Sequence, residues 1–246
     1  MSEYDDTCTV HDTWSGPICS FDGNNKPGGT TSNGDGSRDA VGGVTDKTKI
    51  VVVSTKEYSG AYMSMCTTNL SVHEGFKNAM YQDSEGNITV GIGHLIVNLT
   101  AALALPFTRT HTTHGHGDDE DTEVSASDKD ITTAFNAIKA NPKAWTLAHL
   151  TNKAVIETCI KDVQTTEAGL RGLYSDYDSF PDGVKTALVD MGFNLGIGKL
   201  KSAFPAFNAA VNKKDWATAA KESHRTKISE SRNTDTANQL LSAVKK

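Results

Sequence analysis

The spacing of apolar residues changes several times along the chain, and each change predicts an element. Ile88, Val90 and Ile92 alternate with Thr89, Gly91 and Gly93. That is the period of two expected of a strand. Just before it, Ser84-Glu85-Gly86-Asn87 holds residues that tolerate positive φ, so it predicts a turn. Residues 67–80 predict a helix, with Thr67 or Thr68 as N-cap. The expected course is helix, short strand, turn, strand. Downstream the period lengthens. Ser127-Asp128-Lys129-Asp130 predicts a helix start, with Ile131, Ala134, Phe135 and Ile138 on one face. A longer helix begins at Thr151, where Val155, Ile156, Cys159, Ile160, Val163, Leu170 and Leu173 recur at three- and four-residue steps. Residues 184–196 are apolar on most sides, which predicts the buried central helix of a bundle. Leu200, Phe204, Phe207 and Val211 predict one further helix, Asp215-Trp216 opens a short one, and Asn238 to Lys245 closes the chain with another.

Two stretches show no apolar period. Residues 1–48 are rich in Gly, Asp, Asn, Thr and Ser, with turn signals in series. They bury little, and Ile50-Val51-Val52-Val53 is the first strand-like run. Residues 98–127 hold His111, His114 and His116, then Asp118 to Asp121. Histidine with carboxylate suits zinc, but a flexible loop rarely supplies a preorganised site. The expectation is a polar surface loop with no metal.

At 246 residues the chain has room for one large domain or two small ones. We divide it into an N-terminal extension, 1–60, and a domain over 61–246 that the stretch at about 98–127 interrupts. No apolar run reaches the length of a membrane span, so no membrane insertion is expected. The start, Met1-Ser-Glu-Tyr-Asp-Asp, lacks the apolar core of a signal peptide. Net charge is −6, which gives no reason to expect a nucleic-acid partner. Its distribution is uneven: residues 1–183 carry 13 Lys and Arg against 25 Asp and Glu, and residues 184–246 carry 11 against 5. The basic C-terminal part either attracts an anionic polymer or is a set of solvated helix faces. Cys8, Cys19, Cys66 and Cys159 fit no zinc or redox spacing. Cys8 and Cys19 would close a small loop in an oxidising compartment, and Cys159 reads as a small buried hydrophobe.

Candidate chemistry centres on residues 73–95. Glu74 and Asp83 are carboxyls set on either side of a change of structure. Thr89 follows on the strand that folds back beside them. Two carboxyls flanking a cleft are what glycoside hydrolysis uses: one gives a proton to the leaving oxygen, and the other is ionised to handle water or stabilise the sugar cation. Asp83, beside a wet turn, is the one expected to stay charged.

This stretch resembles the active-site segment of the phage-type lysozymes, glycoside hydrolase family 24. The family pattern is Glu, eight residues, Asp, five residues, Thr, and Glu74, Asp83 and Thr89 match both spacings. Glu74-Gly75, Tyr81 and Gly91-Ile92-Gly93-His94-Leu95 also match. The resemblance runs over roughly residues 66–244, and it implies that 61–246 is a catalytic domain with 98–127 as an insertion in its substrate lobe. It implies an α+β fold: a small lobe with a hairpin sheet, a long linking helix and a helical C-terminal lobe. It implies catalysis by Glu74, Asp83 and Thr89, substrate contacts by Leu95, Phe193 and Asn194, and a structural ion pair between His94 and Asp162. Ser223 to Asn233 resembles the family's Arg-rich segment, with Arg225 and Arg232 as its arginines.

The activity so implied is that of a muramidase, which cleaves peptidoglycan with no cofactor and as a monomer. The rivals are a non-catalytic peptidoglycan-binding module and a chitinase-like hydrolase. Action in the periplasm or wall of a target bacterium would need delivery by a holin or a secretion machine. Phage endolysin and interbacterial toxin both fit, and the toxin reading would bring an inhibitory immunity protein as partner.

Overall fold

The structure, a computed structural model, describes residues 60–114 and 119–244. The strand expected at Ile50–Val53, and Cys8, Cys19, His116 and Asp118, lie outside these residues. The described chain forms two compact units. Among the described residues, one holds those between Glu74 and Cys159, and the other takes 60–73 with 160–244. The division falls inside the long helix Asn152–Leu173 and at Glu74, the last residue of the helix Ala61–Glu74.

Helix α1 spans Ala61–Glu74 and strand β1 spans Lys77–Gln82. This corrects the expected helix over 67–80. Thr67 and Thr68 are interior, not caps, and the Thr67 hydroxyl donates to the Met63 carbonyl. The helix stops at Gly75, whose φ of +80° is the left-handed conformation that commonly ends helices. Strands β2 (Ile88–Gly91) and β3 (His94–Leu95) follow. Both pairings are antiparallel, with Tyr81 opposite Thr89 and Thr89 opposite Leu95.

The 98–127 stretch is not a structureless loop. It contains a short helix, α2 (Leu99–Leu103), and a hairpin of β4 (Thr108–His114) and β5 (Asp119–Ser125). Threonine supplies the strand preference here. Thr110 and Thr112 hydroxyls donate across the ribbon to Glu123 and Asp121. The ribbon is tied back at its base, where Thr108 and His149 exchange backbone hydrogen bonds of 2.7 and 2.9 Å. His149 also bridges to Ala79 of β1, so a single residue joins the hairpin to the three-stranded sheet.

Helix α3 (Asp128–Ala140) starts where expected. Ser127 and Asp130 form a reciprocal capping box. Ile131, Ala134, Phe135 and Ile138 are buried, and the two isoleucines and Phe135 each contribute ~1.5–3 kcal/mol at most. Met80, Val90 and Leu150 are buried in the same unit.

The second unit is helical. It contains the C-terminal part of α4 (Asn152–Leu173), then α5 (Asp182–Leu195), α6 (Ile197–Ala203), α7 (Pro205–Asn212), α8 (Trp216–Glu222) and α9 (Glu230–Leu241). Helix α5 is the buried centre: Val184, Ala187, Leu188, Val189 and Met191 have no exposed surface. The single helix expected from Leu200 to Val211 is two. Pro205 opens α7 and has no N–H to continue α6. The closing helix starts earlier than Asn238, at Glu230, with the Ser229 hydroxyl as its cap. Cys66 and Cys159 are buried thiols. Burial pushes the Cys66 thiol up to about 11.

Candidate active site

The three catalytic candidates fall on three local structures. Glu74 is the last residue of α1 and is half-buried. Its predecessor, His73, is buried with its imidazole 3.5 Å from Asp235. Burial holds the His73 pKa below the ordinary value, against the pull of Asp190. One turn earlier, the Gln239 amide donates to Asn69 at 2.7 Å. Two side-chain links therefore fasten α1 to α9 just before Glu74.

Asp83 closes the turn. Its Oδ1 accepts the backbone N–H groups of Glu85 and Asn87 at 2.9 and 2.8 Å, and its Oδ2 accepts the Asn87 amide at 3.0 Å. Gly86, with φ of +83°, lets the chain reverse so tightly. Partial burial acts to raise the Asp83 pKa. The Asn87, Glu85 and Gly86 hydrogen bonds outweigh it and hold the carboxyl below its usual range. Asp83 is thus ionised at neutral pH, as the wet turn led us to expect.

Thr89 is 4 % exposed. Its hydroxyl donates to the Asn87 carbonyl at 3.4 Å. Opposite it on β1, Tyr81 senses the whole constellation. Burial, then the charges of Glu74 and of Asp83, push its phenol up to about 12. Both carboxylates therefore act on one neutral phenol. The Lys77 ammonium sits 3.7 Å above the Tyr81 ring. Tyr81 appeared in the sequence only as part of a motif. Its place two residues before Asp83 was the available signal.

Leu95 lies next to Thr89 on β3 and is 49 % exposed. His94, beside it, is half-buried in the same unit, and Asp162 is half-buried on α4 in the second unit. Phe193 and Asn194 are also in the second unit, at the end of α5. There the Asn194 side-chain oxygen accepts from Arg225 at 3.2 Å. Arg225 and Arg232 are buried and both grip Asp190, at 2.7 and 2.8 Å. Their role in the fold is structural, and Asp190 is the partner that the sequence did not expose. Among the described residues no group of three His, Cys, Asp or Glu side chains is gathered closely enough to hold a metal ion.

The family model for phage lysozyme matches residues 71–236, about two thirds of the chain. The chain belongs to the phage lysozyme family. Two curated relatives from Dictyostelium discoideum are similar to it over much of their length. Probable T4-type lysozyme 1 is 26 % identical over 162 residues, covering 62 % of this chain and 78 % of the relative. Probable T4-type lysozyme 2 is 27 % identical over 154 residues, with the same coverage. The phage lysozyme match makes the protein a glycoside hydrolase of the lysozyme kind, with peptidoglycan as the implied substrate. The matched span includes Glu74, Asp83 and Thr89, and it runs through the hairpin of β4 and β5.

Proposed function

We propose that the protein is a muramidase that hydrolyses the β-1,4 bond between N-acetylmuramic acid and N-acetylglucosamine in bacterial cell walls. Glu74 is the general acid. It gives its proton to the glycosidic oxygen as the bond from that oxygen to the anomeric carbon breaks. Asp83 is the base that takes a proton from the attacking water. The Thr89 hydroxyl already donates to Asn87, so its lone pairs are left to accept a hydrogen bond from that water and orient it. The water attacks the face opposite the leaving group, and the anomeric configuration inverts. Leu95, exposed next to Thr89, offers the sugar an apolar contact.

The observation that supports this reading is the placement of the two acids around Tyr81, whose phenol both of them influence. Asp83 is tied into a turn that keeps it ionised. Glu74 stands at the end of α1 and is half-buried. A pair in different environments can divide the acid and base roles.

The test is Glu74→Gln, which keeps the shape and removes the proton. Wall clearing by the full chain should fall at least ~10²-fold, with the melting temperature nearly unchanged. The first product formed by the wild type should be the α-anomer when read by proton NMR. A Glu74→Gln protein that clears walls at near wild-type rate would overturn the assignment.

A further inference from the structure

Among the described residues two lysines are withdrawn from solvent, Lys77 and Lys185, and the other lysines there are exposed. Each of the two lies on an aromatic ring. The Lys185 ammonium stands 4.2 Å from the centre of the Tyr62 ring, and the Lys77 ammonium 3.7 Å from the centre of the Tyr81 ring. A ring face attracts a cation but repays only part of the hydration that the cation gives up. At Lys185 a carboxylate completes the set, with Asp182 Oδ1 at 2.9 Å from the ammonium. At Lys77 the ring is present, but no carboxylate of a described residue comes within ion-pair distance. Burial alone pulls the Lys77 pKa below its ordinary value.

Lys77 opens β1, three residues after Glu74. The ring beneath its ammonium is the one whose phenol both Glu74 and Asp83 influence, and Tyr81 is paired with Thr89. The cation therefore stands beside the candidate catalytic residues, within one unit of the chain. Asp83 does not serve it, because the Asp83 oxygens accept from the Glu85, Asn87 and Asn87 side-chain donors of the turn. A half-buried cation at the edge of a catalytic site, with a ring and no acid, suits an anion that arrives with the ligand. N-acetylglucosamine carries no charge. N-acetylmuramic acid differs from it by a lactyl ether, which ends in a carboxylate or carries a stem peptide with carboxylates of its own.

We propose that the Lys77 ammonium, held on the Tyr81 ring, is a recognition site for the carboxylate borne by the lactyl arm of a muramic acid residue, whether free or on its stem peptide. The proposal rests on the muramidase reading for its substrate. In it, the bound carboxylate takes the place at Lys77 that Asp182 takes at Lys185. A chitin strand leaves the ammonium unpaired and is disfavoured for that reason. Lys77 is thus a specificity-determining residue that separates wall glycan from a plain N-acetylglucosamine polymer.

The test measures Kd by calorimetry, with the full chain carrying Glu74→Gln so that ligand is not consumed. Three ligands of equal length are titrated: peptide-free glycan strands with free lactyl carboxylates, the same strands with those carboxylates converted to amides, and strands that keep their stem peptides. Adding Lys77→Gln should raise Kd for the peptide-free strands about tenfold, as loss of one charge-assisted contact does. Lys77→Arg should recover most of that loss. The amidated strands should bind with and without Lys77→Gln alike. A loss confined to the peptide-bearing strands would put the recognised carboxylate on the peptide. Unchanged Kd for all three ligands in Lys77→Gln would overturn the site, as would an equal loss with the amidated strands. Should Lys77→Gln not fold, the parent protein decides: it should bind free or peptide-bearing strands about tenfold more tightly than amidated ones, and equal Kd values would overturn the site. Strands that bind through Lys77 yet survive the wild-type enzyme would instead overturn the muramidase reading and leave the carboxylate site standing.

Discussion

Asp83 illustrates how a single side chain serves fold and chemistry together. The donors that close the turn are the same ones that keep the carboxyl ionised. Its folded pKa is lowered, so its contribution to stability is present above the ordinary carboxylate value and is lost as pH falls through the lowered folded value. Activity that needs the charged form should share that acid limb. Asn87→Ala removes the amide donor to Oδ2. The acid limb of kcat/KM should then move towards higher pH, while the alkaline limb stays in place. A pH–rate profile of the two proteins checks this, and coincident acid limbs would show that Asp83 is not the titrating group. The turn at Asp83 and the strand that holds Thr89 were legible in the sequence because turn chemistry and strand alternation are local. Asp190 was not. Its place one step from Met191 on an apolar helix gives no hint that Arg225 and Arg232, far along the chain, converge on it.

Helices α3, α4 and α5 could be read from periodicity because each buries one face, or nearly all of it. Helix α1 was misplaced because its apolar and polar residues are poorly sorted around its axis. The break between α6 and α7 depends on Pro205, which the apolar spacing of Leu200 and Phe204 masked. The hairpin was missed for a different reason. Both faces of β4 and β5 are largely wet, so nothing forces apolar residues to alternate, and only threonine hinted at strands. The link between α5 and α9 is open to direct test. Asp190 is 1 % exposed and paired with two buried arginines. Burial acts to raise its pKa, but the attraction of Arg232 and Arg225 holds it below the usual range. Its stabilising contribution is thus present above the ordinary carboxylate value and lost only as pH falls through the lowered one. Asp190→Asn leaves both arginines buried without a counter-charge and should cost ~3–5 kcal/mol. Urea unfolding at neutral pH measures it, and a loss below ~1 kcal/mol would contradict the arrangement.

At the scale of the whole molecule, the uneven charge bears on how a lysozyme meets its wall. Residues 184–246 carry 11 basic side chains against 5 acidic ones, and Lys199, Lys201, Lys213, Lys214 and Lys221 are exposed. If these draw the enzyme to an anionic polymer, the attraction acts over about a Debye length and weakens with salt. Clearing of intact walls should fall severalfold as ionic strength rises from ~0.01 M to ~0.3 M, over which the Debye length shrinks by severalfold. Cleavage of a short neutral oligosaccharide should change little. Turbidity and oligosaccharide assays run side by side would separate the two, and parallel salt dependence would assign the lysines to ordinary solvation. The α+β class and the family were legible early, since the motif and the long helix are strong signals. The two-unit division, which takes α1 away from the strands that follow it, depends on contacts between residues distant in the chain.

The base of the hairpin has one further consequence. The Ala126 N–H donates to the Phe107 carbonyl at 2.9 Å, so the chain leaves and re-enters the body at the same point. The closure is made by backbone, and it does not depend on what lies between. Lengthening such a loop is thermodynamically cheap, about 0.6 kcal/mol for each doubling. The position between Phe107 and Ala126 is therefore a natural splice point. A foreign module whose own ends lie close together could be carried there as a reporter, with the host fold left to assemble around it as before.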